Sequence, residues 1–243
     1  MLYMASTYLT LTNKLLRRMN EVEVSEADFS NTRGVQTLAK DAILDSIGAI
    51  NQAEYEWPFN AAQHTQVLAV GQEEYSWPSF FKIVDWNTFQ IQKNDSLNVG
   101  NKRLDFVDRD VYYKKYKDED DDAGATGRKC PEFVAPSHGN GYIVSPSPDK
   151  TYTIQFKYYL NNVGLNLFGD QTRIPDSYDN VIIDGALYYM YMFRDNPESA
   201  GVTLQIFQQG IKNMQGIFIN KYEEVYDTRV LRGKRTQSAS VGY

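Results

Sequence analysis

The chain has 243 residues, 42% of them hydrophobic and 23% charged, an ordinary globular mixture with enough length for one large domain or two small ones. Mean hydropathy of -0.51 and the lack of an apolar run near twenty residues exclude a membrane-spanning helix, and a net charge of -6 argues against a protein that grips duplex DNA by its phosphates. One cysteine, Cys130, excludes an intramolecular disulfide, and with only two histidines beside it a zinc site of the Cys/His kind is excluded as well.

The opening MLYMASTYLT has neither a basic start nor a clean apolar stretch, so no signal peptide is expected. Leu11, Leu15, Leu16, Met19 and Val22 then recur at helical spacing with Lys14, Arg17 and Arg18 opposite, which predicts a helix over 9–22. A second helix is predicted over 31–54, with Val35, Ala39, Ile43, Ile47 and Ile50 on one face. Pro58 stops it, because the residue before a proline is pushed out of the helical region.

From about residue 65 to 160 the pattern changes. Segments 65–70, 82–92, 132–135, 142–144 and 151–160 are rich in β-branched and aromatic residues and read as strands. The last alternates most clearly, with Tyr152, Ile154, Phe156 and Tyr158 on one face. His138-Gly139-Asn140-Gly141 and Ser147-Pro148-Asp149-Lys150 read as the turns between strands. Within this region DRDVYYKKYK, residues 108–117, reads as a short helix with Asp108 as N-cap.

Helices return at Asp176. The run from Val181 to Phe193 is apolar almost all round and is expected to be buried on nearly every side. Asn196-Pro197-Glu198 reads as an N-cap, a proline at the first helical position and an acid in the first turn. The helix that follows should turn Val202, Phe207, Ile211, Met214 and Phe218 inward. After Arg229, LRGKRTQSASVGY reads as a tail that only a partner would order.

The order of elements gives an α+β fold: a helical bundle from the N- and C-terminal helices with an inserted, mainly antiparallel β domain. The expected division is 1–62 with 170–230 for the bundle, 63–169 for the β domain and 231–243 for the flexible tail.

Catalytic chemistry is not visible. Asp118-Glu-Asp-Asp-Asp122 fails as a calcium loop, since its sixth position is Ala123 and its twelfth Lys129. His64 and His138 sit in polar, turn-like sequence with no neighbour that makes a nucleophile–base pair. Cys130 precedes a proline at a strand entrance and reads as a small hydrophobe. Gly139-Asn140-Gly141 lacks the strand–turn–helix setting of a phosphate loop. Trp57 and Trp77, each before a proline, either end an element and pack there or serve as carbohydrate stacking platforms. No catalytic, metal or cofactor-binding residue is assigned. Aromatic residues reach 14%, with 18 tyrosines, which suits either a tyrosine-rich core or half-buried subunit contacts.

Several segments resemble the head-to-tail adaptors of short-tailed, podovirus-like bacteriophages, of the tail tubular protein A kind. They are TYLTLTNKLLRRMNEV (7–22), INQAEYEWPF (50–59), DSLNV (95–99), IPDSYDNVIIDGALYYMYMFRDN (174–196) and NKYEEVYDTR (220–229). The resemblance runs from about residue 6 to 229. It implies a structural virion protein without enzymatic activity or cofactor, made in the host bacterial cytoplasm and located in the head–tail neck. It further implies a ring of twelve copies between the portal protein and the tail nozzle protein, with tail fibres nearby and double-stranded DNA passing through unread. The bundle and the C-terminal segment would meet the portal and the β domain the nozzle; the acidic balance would let DNA slide. The expected portal or subunit contacts are Tyr188 and Tyr191 on the apolar helix, and Tyr226, Arg229, Val230, Arg232, Lys234 and Arg235 near the C-terminus. The competing readings are a carbohydrate-binding or wall-degrading virion protein and a stopper or tail-completion connector of the same neck.

Overall fold

The computed structural model describes residues 6–95, 99–117, 126–161 and 164–219. The acidic run 118–122 and everything after Ile219 lie outside the described residues. The helices are α1 (Tyr8–Arg18), α2 (Val35–Ala53), α3 (Arg109–Lys115), α4 (Asp179–Phe193) and α5 (Pro197–Phe218). The strands are β1 (Ala61–Leu68), β2 (Glu74–Ser76), β3 (Phe81–Val84), β4 (Gln90–Ile91), β5 (Lys102–Arg103), β6 (Asp105–Phe106), β7 (Phe133–Pro136), β8 (Gly141–Ser145) and β9 (Tyr152–Leu160). The fold is α+β, as the order of sequence patterns predicts.

α1 begins at Thr7, whose hydroxyl accepts the Thr10 N–H, and it buries Leu11, Leu15 and Leu16. It ends earlier than the spacing predicts. Asn20 takes φ +55°, and the N–H groups of Asn20 and Glu21 donate to the carbonyls of Arg17 and Leu16. That is a Schellman ending with asparagine where glycine is usual. Val22 therefore lies beyond the helix and is 78% exposed, not part of the buried face. α2 buries Ala39, Ile43, Ile47 and Ile50 as expected, but starts later because residues 29–31 form a 3-10 turn that buries Phe29.

α4 packs against α1, α2 and α5, and those neighbours do not surround it. Ile182, Ile183, Ala186, Leu187 and Met190 are buried, while Tyr188, Tyr189 and Tyr191 are half-buried and Met192 and Phe193 are exposed. The expectation of burial on nearly every side is thus corrected. Gly185 marks the closest approach: a Cβ there would lie 2.3 Å from Ser46 Oγ and 2.7 Å from the Phe207 ring. Ser46 donates its hydroxyl to the Ile182 carbonyl at 2.7 Å, tying α2 to α4. α5 starts as predicted, with the Asn196 side chain accepting the Ser199 N–H and Pro197 in the first turn. It buries Phe207 and Met214, but Val202 faces outward.

Both sheets grow around long-range pairings. β9 is central to a five-stranded antiparallel sheet, with β1 along one edge and β3 and β4 along the other, β5 following β4. The predicted strand 82–92 is broken by a 3-10 turn at Trp86–Thr88, which separates β3 from β4. The second sheet runs β2–β8–β7–β6, with one parallel pair, β6 against β7. β2, β5 and β6 are two or three residues long, too short for a periodicity to mark them in the sequence. The sheets share an aromatic core in which Phe156, Phe89 and Tyr142 lie with ring centroids 4.4–5.4 Å apart. α3 covers the other side of β7 and β8 through Tyr112, so all five residues of β8 are buried.

The helices share a separate core. Trp57 is fully buried in it, donating its indole N–H to the Ile50 carbonyl and stacking on Phe59. Residues 165–170 return to this side, where the Phe168 and Asp170 carbonyls accept the N–H groups of Leu9 and Tyr8. At the junction Lys82 donates to the Asn51 and Glu54 carbonyls at the end of α2, and burial pushes its pKa down.

Candidate assembly surface

The two histidines and the cysteine lie against aromatic side chains. His64 lies inside β1, not in a turn, and packs on Phe156 and Tyr158 at 5.3 and 6.3 Å. His138 is in the β7–β8 turn and stacks on Tyr113 at 4.3 Å. Cys130 is half-buried against the aromatic core. Trp77 lies flat on Phe81 at 4.3 Å, so it packs inside the β part instead of standing out as a platform. Among the described residues no group of three or more His, Cys, Asp or Glu side chains is placed to hold a metal ion.

Two open polar cavities lie on the β part. One, of about 440 Å³, sits on the outer face of the five-stranded sheet and is lined by Gln63, Gln90, Gln155, Arg103 and Lys157. The other, of about 610 Å³, gathers Lys102, Arg128, Lys129 and Lys150 around Asp149, whose carboxylate accepts the Tyr152 hydroxyl, and Lys102 is paired with Glu132 at 2.9 Å. Amides and cations of this kind bind polar groups, and Cys130 and Tyr152 also line the second cavity.

The α4–α5 hairpin presents a different surface. From Ser199 to Phe218 the helix carries a single charge, Lys212. Its outward side holds Val202, Gln205, Ile206, Gln209, Asn213 and Ile217, and Ile217 is 68% exposed. Solvated helices normally line their open side with Lys and Glu; depletion of charge around exposed aliphatics is the composition of an interface centre. Met192 and Phe193 add to the apolar surface at the turn between the two helices.

Of the contact residues expected from the sequence, Tyr188 and Tyr191 lie one turn apart on α4 and are half-buried, the Tyr188 ring meeting Tyr189 edge-on at 5.1 Å. Burial first, then the Asp45 carboxylate, pushes the Tyr189 hydroxyl pKa up, so it stays a neutral hydrogen-bonding group. Tyr226, Arg229, Val230, Arg232, Lys234 and Arg235 lie outside the described residues. The exposed aliphatics of α5 were missed from the sequence because Val202 matches the apolar spacing of a buried face. The available signal is the scarcity of charge along the helix, where Lys212 alone follows Glu198 of the first turn.

The family model described as SU10 adaptor protein matches residues 6–232, spanning the helical core and both sheets. None of the curated proteins matches the chain.

Proposed function

The chain belongs to the SU10 adaptor protein family of phage structural proteins, and from that membership we propose that it forms a ring in the virion neck that joins the portal to the tail. The single observation carrying this reading is the family match from residue 6 to 232. In this reading twelve copies close head-to-tail around an axis, and the duplex passes through without being gripped, in keeping with the net charge of -6. The helical part, residues 1–62 and 170–230, faces the portal. The β part, 63–169, faces the nozzle and fibres, and the tail 231–243 reaches a partner.

The uncharged side of α5 supports assembly through surfaces. The test is to mix the purified chain with isolated portal and image the product. Rings of one symmetry capping the portal are expected. A chain that ignores the portal and binds or cleaves glycans instead would sink the proposal.

A further inference from the structure

Between α2 and α4 lies a small groove of about 200 Å³, with room for one aliphatic side chain. Leu38, Ala42, Tyr189 and Phe193 make it apolar, and Asp41 and Asp45 stand on its α2 side. Both carboxylates are exposed, and among the described residues neither is hydrogen-bonded or ion-paired. Phe193 is 61% exposed at the rim, an aromatic left in water on a helix whose other end is buried. An apolar slot edged by two uncompensated acids fits a segment that carries an aliphatic side chain between cations.

We propose that the groove is the resting site of this chain's own C-terminal segment, residues 229–235 (RVLRGKR). Val230 or Leu231 fills the slot, and Arg229 and Arg232 pair with Asp41 and Asp45. The charge pattern selects this segment: the chain's most basic short run is the one that follows the last described helix. At full extension its reach matches the length of the helix it must retrace. α5 has 22 residues, so its end lies about 33 Å along its axis from the α4–α5 turn beside the groove. The ten residues 220–229 span about 33 Å when extended. Docking is therefore made within one copy, by a segment drawn back along the hairpin. The consequence rests on the proposed portal contact: a partner that takes the tail must first displace it from the groove, which leaves the free copy with its docking segment covered. The groove contact itself is tested without portal.

The experiment is limited trypsin digestion of the full-length chain at low ionic strength, following cleavage after Arg229, Arg232, Lys234 and Arg235 by mass spectrometry. The Asp41→Asn/Asp45→Asn double variant is expected to be cut there about fivefold faster than the parent, the size of effect two exposed ion pairs supply. Leu231→Ser should also be cut faster, and neither change touches the helical core. High salt should bring the parent up to the rate of the double variant. Equal cleavage of parent and variants would overturn the proposal. So would protection that appears only as protein concentration rises, since the tail would then be held by another copy.

Discussion

Gly185 sits where α4 meets both α2 and α5, and the same substitution at two glycines should have opposite signs. Gly185→Ala brings a methyl to 2.3 Å from Ser46 Oγ and 2.7 Å from the Phe207 ring, and is expected to destabilise by about 1–3 kcal/mol through overpacking. Gly216, exposed on α5, has nothing within 4 Å of its added Cβ, so Gly216→Ala should stabilise by about 0.5–1 kcal/mol. Urea midpoints of the two variants decide it. Tyr142 carries another local cost: its hydroxyl is buried without a hydrogen bond among the described residues. Tyr142→Phe should be neutral or stabilising by up to about 1 kcal/mol, since an unpaired hydroxyl is removed with little change of shape. Burial, with Tyr75 adding to it, also raises the Tyr142 pKa, and burial followed by Asp41 and Asp45 raises that of Tyr8. Folded-state values above the unfolded one mean that this stability is whole below about pH 10 and is lost as pH rises beyond it. The urea midpoint should therefore fall above about pH 10, and fall less steeply in Tyr142→Phe. A drop of equal slope in both proteins would refute this.

At the scale of the element, the α4–α5 turn ends one helix and starts the next in two adjacent residues, Asp195 and Asn196. Asp195 takes φ +53°, and the N–H groups of Asp195 and Asn196 donate to the Met192 and Tyr191 carbonyls, closing α4 as a Schellman motif. Asn196 then caps α5. Asn196→Ala should cost about 1 kcal/mol, whereas Asp195→Gly should gain up to about 1 kcal/mol by relieving a left-handed backbone. Thermal unfolding of both variants checks the pair, and a loss in Asp195→Gly would show that the aspartate side chain does more than tolerate the turn. The cap at Asn196 was legible because cap, proline and acid follow one another in sequence. The ending of α1 at Asn20 was not, since asparagine marks a left-handed residue only weakly and the apolar spacing continues through Val22.

For the whole molecule, the uncharged side of α5 yields a prediction that separates folding from assembly. Val202→Glu/Ile206→Glu places two charges on side chains more than half exposed in the single copy. Its stability should stay within about 0.5 kcal/mol of the parent, while ring formation with the portal should be lost in sedimentation or imaging. Rings that survive would remove this side of α5 from the interface. The sequence by itself determined what depends on neighbours along the chain: the α+β class, the inward faces of α1 and α2, the alternation of β9, and the caps at Asp108 and Asn196. Helical and strand periods are local and survive without knowledge of the partners. The tertiary structure alone decided what depends on distant partners. β9 pairs with three strands from the first half of the β region, the two sheets close over Phe89, Tyr142 and Phe156, and His64 enters a strand. The same holds for α4 and α5, where an apolar residue reads alike whether it faces a core or an interface. Only the positions of α1, α2 and the sheets show which aliphatics are covered within one copy and which stay exposed.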